Sequence, residues 1–114
     1  MNYIIEQTRG DTGRYKFARK DEDGNTIATR PDAMWFTVKT TYKVPQMVLQ
    51  KTLDDMEMDE NGVWRFTIEP TDTNNLIFGT YDYDLEVIQD GVKTTISYGE
   101  FRLSKEVTWA ANER

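Results

Sequence analysis

The chain contains no cysteine and no histidine among its 114 residues. The first absence removes disulfides and thiolate metal sites; it fits reducing cytoplasm without requiring it. The two together exclude serine triads with a histidine base, cysteine nucleophiles and ordinary zinc hydrolysis. Proline occurs 3 times and glycine 7 times, so the chain is neither collagenous nor a low-complexity linker. No apolar run approaches membrane-spanning length. The start MNYIIEQTRG has neither a basic n-region nor a long enough apolar run for a signal peptide. An N-x-[ST] glycosylation acceptor is also missing.

What is present describes one acidic globular domain. Lys and Arg number 14 against 20 Asp and Glu, a net charge of -6, which makes nucleic acid a poor partner. Aromatics make up 12%, enough to build a single core in a chain of this length.

Strict alternation of apolar and polar residues is the dominant pattern, and it predicts strands. In YDYDLEVI, Tyr81, Tyr83, Leu85 and Val87 take one face while Asp82, Asp84 and Glu86 take the other. The same period places Met34, Phe36 and Val38 together in MWFTVK, and Trp64, Phe66 and Ile68 together in VWRFTIE. Tyr15 and Phe17 alternate with Arg14 and Lys16 in GRYKFARK, and shorter strands are expected in NYIIEQT and QMVLQKTL. Asp23-Gly24-Asn25, Asn61-Gly62 and Asp90-Gly91 separate these runs with residues that tolerate positive φ, the last as a hairpin turn. In TTISYGEFRLSKEV, Ile96 and Tyr98 share one parity and Phe101, Leu103 and Val107 the other, so a β-bulge is expected at Gly99 or Glu100. Seven or eight short strands without a long helical pattern predict an all-β fold, a two-sheet antiparallel β-sandwich. Residues 1–108 are expected to form the domain and 109–114 a polar tail.

The stretch EPTDTNNLIFGTYDYDLEV places a turn shortly before the strongest strand. Tyr81 then stands where immunoglobulin-type domains keep a corner tyrosine, and Tyr83 stands two residues on, where antibody domains keep a core cysteine.

The order of RGDTGRYKF, MWFTVK, NGVWRFTI, PTDTNNLIFGTYDYDLEV and YGEFRLSKEVT resembles small immunoglobulin-like structural proteins of tailed bacteriophages and prophages, including the N-terminal domain of baseplate upper proteins. The resemblance spans nearly the whole chain. It implies a virion component of tail, baseplate or neck type, made in bacterial cytoplasm, with no catalysis, no cofactor and no metal. Its partners would be other virion proteins and possibly a second copy. It carries over no binding residues. The acidic segment TLDDMEMDENG and the tail WAANER depart from the family pattern. The runner-up is a bacterial non-catalytic immunoglobulin-like module for sugar or protein.

Arg9-Gly10-Asp11 spells the tripeptide taken by integrins. In the phage family a Gly-Asp-Thr stretch is expected where the first strand gives way to the second, which leaves only Arg9 coincidental. With no export signal, integrin binding is not expected. RKDEDGNTI imitates an EF-hand loop, but aligning Gly24 with the invariant glycine puts Arg19 and Arg30 at the first and last ligand positions, where acids are required. The segment 54–60, with Asp54, Asp55, Glu57, Asp59 and Glu60, fits either a loose cation site or a solvated acidic loop; an EF-hand register there ends on Ile68. Asp82, Asp84 and Glu86 are read as the solvent face of a strand rather than as catalytic carboxylates. For partner binding the candidates are Trp35, on the parity opposite Phe36, and Trp109 in the tail.

Overall fold

The computed structural model describes residues 2–105; Val107 and the tail with Trp109 lie outside them. Among the described residues eight strands run in chain order as β1 Asn2–Thr8, β2 Gly13–Ala18, β3 Ala33–Lys39, β4 Met47–Thr52, β5 Glu57–Met58, β6 Val63–Ile68, β7 Gly79–Gln89 and β8 Val92–Ser104. A 3-10 turn, Leu53–Asp55, and a single helical turn, α1 Pro70–Thr73, are the helical pieces among the described residues.

The strands form two sheets that face one another, ordered β1-β8-β7-β3-β4 and β2-β6-β5. All pairs are antiparallel except β1 with β8, which run parallel from Asn2 opposite Tyr98 to Thr8 opposite Ser104. A purely antiparallel sandwich is thus corrected at one edge. The reason is topological: β1 joins the sheet that ends in the last strand, and no hairpin connects them.

Period 2 sorts the side chains as the sequence pattern requires. Met34, Phe36, Val38, Tyr81, Tyr83, Leu85, Val87, Phe101 and Leu103 of the larger sheet pack against Trp64, Phe66 and Ile68 of the smaller one. Phe36 and Phe66 meet across the sheets with ring centroids 4.8 Å apart. Among buried side-chain polar atoms, Trp64 Nε1 is without an acceptor.

The bulge in β8 lies away from its expected place. Leu85 opposes Ser97 while Glu86 opposes Thr95, so Ile96 is the extra residue, not Gly99 or Glu100. The parity of Phe101 and Leu103 therefore continues inward through Gly99 to Ser97, and Tyr98 turns outward, 50% exposed. Gly99 sits opposite Tyr83, and Tyr83 Oη lies 3.0 Å from Ser97 Oγ.

The β7–β8 turn is the tightest hairpin. Asp90 has φ 53° and Gly91 φ 80°, the pair of positive values that a two-residue type I′ turn requires. Replacing Gly91 with alanine should destabilise the fold by about 1 kcal/mol, since a Cβ is disfavoured in that conformation. Urea denaturation of the variant beside the parent measures it, and an unchanged midpoint would contradict the turn assignment.

Candidate partner-binding surfaces

Tyr81 begins as a core ring and ends as a polar contact. Its hydroxyl donates to the Ile77 carbonyl at 2.6 Å, back to the segment just before its own strand. Burial, then the neighbouring Tyr42 hydroxyl, pushes the phenol pKa up, with the Ile77 bond opposing. The bond ties the β6–β7 connection to the core. Tyr81→Phe should cost about 1 kcal/mol, the usual net value of one such bond; a chemical-denaturation midpoint within error of the parent would make Tyr81 merely a core aromatic.

The same end of the sandwich gathers the β1–β2 turn. Gly10, at φ 83°, donates its N–H to Thr73 Oγ1 of α1 at 2.9 Å. Arg9 is not the coincidence that the sequence pattern suggests. Its guanidinium lies 4.1 Å from the centroid of the Phe78 ring and donates to the Leu76 carbonyl at 3.3 Å, and its backbone N–H donates to Ser104 O. A cation over an aromatic face is held by the ring quadrupole, so this arginine clasps the β6–β7 connection to the first turn. Exposed apolar side chains lie in the connections at this end: Ile77 at 73% and Phe78 at 40% between β6 and β7, and Tyr42 at 64% and Val44 at 74% between β3 and β4. The electrostatic proximity of Tyr42 to Tyr81 places that connection against the same end.

Trp35 is half-buried on the outer face of the larger sheet, opposite Glu86 on β7 and Thr52 on β4. Tyr98 stands on that face opposite Asp84. Asp82 is exposed there, but Asp84 and Glu86 are half-buried, so the three carboxylates are not one uniformly solvated row. Burial and then Glu86 raise the Asp84 pKa, with Lys39 and Lys93 opposing. A carboxyl whose pKa rises on folding lowers stability once both states are ionised, and this penalty vanishes below the unfolded value. Asp84→Asn should therefore raise the thermal midpoint at pH 7 and leave it unchanged near pH 3, below the ordinary aspartate range of about 3.9. Equal effects at both pH values would assign the change to packing.

Two carboxylates of the acidic segment are committed to its own turns, and Asp54 lies 3.8 Å from Arg30. Asp55 accepts from the Thr52 N–H at 2.8 Å, and Asp59 accepts from Asn61 N, Val63 N and Arg65 Nη1. The Arg65 bond, followed by the Val63 amide, holds the Asp59 pKa below the usual range. Among the described residues, no three Asp or Glu side chains converge to hold a metal.

A further feature was not visible in the pattern. Between β1 and β2, each the edge of its sheet, a groove of about 620 Å³ opens into the space between the sheets. Tyr3, Ile5, Tyr15, Phe17 and Ile96 wall it, and Phe36 and Phe66 lie at its base. One end is closed where the Tyr15 hydroxyl donates to Gln7 Oε1 and Gln7 Nε2 donates to the Asp11 carbonyl. A second recess, about 610 Å³, is lined by charges of both signs, among them Arg14, Lys16, Lys51, Glu57, Arg65 and Glu69.

No protein-family model matches the sequence, and no curated protein sequence matches it. Among solved structures, the endo-beta-1,4-mannanase from Thermotoga petrophila is similar with a TM-score of 0.55 at 12% identity, covering 93% of this chain and 18% of that one. At that identity the likeness concerns the fold alone. The chain spans under a fifth of the mannanase it matches.

Proposed function

We propose that this chain is a non-enzymatic, immunoglobulin-like β-sandwich that works by contact with other proteins, as a structural component of a phage or prophage particle. The strand order supports the immunoglobulin-like part: β8, β7, β3 and β4 take the places of strands G, F, C and C′, faced by β2, β6 and β5 in those of B, E and D, with Tyr81 bonded at the corner. The particle rests on the sequence resemblance.

The observation that carries the contact role is the apolar end formed by Tyr42, Val44, Ile77 and Phe78. Single exposed apolar residues are ordinary, but four in the two connections at one end, with Phe78 held by Arg9 and Ile77 by the Tyr81 bond, make a prepared surface. Its partner in this reading is another protein of the particle. The double variant Val44→Asp, Ile77→Asp should fold with a near-parental denaturation midpoint and be lost from particles purified after induction of the prophage. Particles that never contain the parent chain would refute the virion role, and particles that retain the variant would move the contact elsewhere.

The alternative, a sugar or protein module outside any virion, has one observation in its favour. Trp35 and Tyr98 stand on one outer sheet face with the strand β7 between them, roughly 12 Å apart by strand spacing, with Asp84 and Glu86 between. Retardation of the protein in gels containing soluble polysaccharide, abolished by Trp35→Ala, would favour it.

Integrin adhesion is outside both readings, because Arg9 is engaged with Phe78 and Leu76 rather than presented at a loop tip. Integrin-bearing cells plated on the immobilised protein should not spread, with or without Asp11→Glu. Spreading that a soluble Arg-Gly-Asp peptide inhibits would overturn this.

A further inference from the structure

The two flanks of the sandwich are built differently. On one, the chain itself crosses from β4 to β5 through the 3-10 turn Leu53–Asp55. On the other, β1 and β2 are joined only at one end, by the turn 9–12, and the groove opens between them. Among the described residues, strand β2 pairs with β6 and with no strand on its other side. An edge strand leaves a row of backbone N–H and C=O groups pointing outward. Here that row runs above an apolar groove.

Charge marks the same edge. The segment 13–20, GRYKFARK, carries Arg14, Lys16, Arg19 and Lys20 and no acid, in a chain whose net charge is -6. Lys16 and Lys20 line the groove. Arg19 is turned inward to Gln89 Oε1 and the Thr29 carbonyl, whereas Arg14, Lys16 and Lys20 are exposed.

We propose that the groove receives an extended strand from another protein, paired along β2 from Tyr15 to Ala18, with apolar residues entering the groove and acidic residues alternating on the outside. Alternation follows from strand geometry: residues pointing between the sheets meet Phe17, Ile5 and Ile96, and those pointing the other way lie beside Lys16. The length is limited. At the Gln7 end a Cβ on Gly13 would already collide with Gln7 Oε1, so the added strand is about four residues, roughly 13 Å at strand rise. A second copy is the poorer donor, because this chain's own apolar–acidic run, 81–88, is β7, paired on both sides by β3 and β8. The inference concerns a surface separate from the apolar end and does not rest on the virion reading.

The probe is a synthetic peptide of alternating valine and glutamate, titrated calorimetrically at low salt into the full-length protein, with backbone amide shifts recorded by NMR. Binding with shifts at residues 15–18 is expected. The same peptide N-methylated at alternate amides should bind at least tenfold more weakly, and so should a valine–lysine peptide. Lys16→Glu, an exposed change, should weaken the glutamate peptide severalfold while leaving the denaturation midpoint unchanged. No binding at millimolar peptide, equal binding of the N-methylated form, or shifts confined to another surface would each overturn the proposal. So would self-association of the protein alone that the peptide disrupts, since the occupant would then be a second copy.

Discussion

The contact that the rest of the structure depends on is Phe36 against Phe66, the point where the two sheets touch most closely in aromatic terms. Phe36 is also 5.6 Å from Tyr83 and 6.5 Å from Phe101, and Phe66 is 5.5 Å from Tyr15 and 6.3 Å from Phe17. One cross-sheet pair thus joins strands β3, β7 and β8 to β6 and β2. Neither sheet could bury its inner face alone, and burying a large aromatic contributes a few kcal/mol. The registers of these five strands must deliver their rings to this centre, which is why a slip by one residue is forbidden in them.

That requirement explains what was legible. The faces of β3, β6 and β7 follow from period 2 alone, because apolar residues at alternate positions have one way to be inside. The position of the bulge was not legible for the same reason. A parity change between Ile96 and Phe101 can be absorbed anywhere between them, and Gly99, having no side chain, gives no sign of its direction. Tertiary pairing decides it: Leu85 opposes Ser97 and Glu86 opposes Thr95, so the inward parity runs on to Ser97 and the extra residue falls at Ile96. Likewise, alternation in NYIIEQT indicates a strand and says nothing of its neighbour; the parallel partnership of β1 with β8 is a tertiary fact.

Arg9 shows a different limit. Its partners Leu76, Phe78 and Ser104 lie far along the chain, so no local pattern could have given it a role. The corner tyrosine was accessible from sequence because its bond is local, with donor and acceptor four residues apart. The groove is the extreme case. Tyr15 and Phe17 read as core residues and do pack against the core, yet they are only half-buried, since among the described residues no strand pairs with β2 on that side. The one trace in the sequence is the basic bias of GRYKFARK within an acidic chain.

That bias has two physical readings, and the geometry separates them. Lysines on an edge strand commonly guard against unwanted pairing, because adding a second such edge would bring like charges together. A guard of this kind works best where the edge is otherwise unattractive. Here the edge borders an apolar groove that leaves Tyr3 at 54% exposure, which is an attraction rather than a deterrent. Positive charge beside an attractive site selects among partners instead of repelling all of them: it penalises another β2 and favours an acidic strand. Phe36 and Phe66, which hold the sheets together, also form the base of that groove, so the core's central contact is itself one wall of the surface left for a partner.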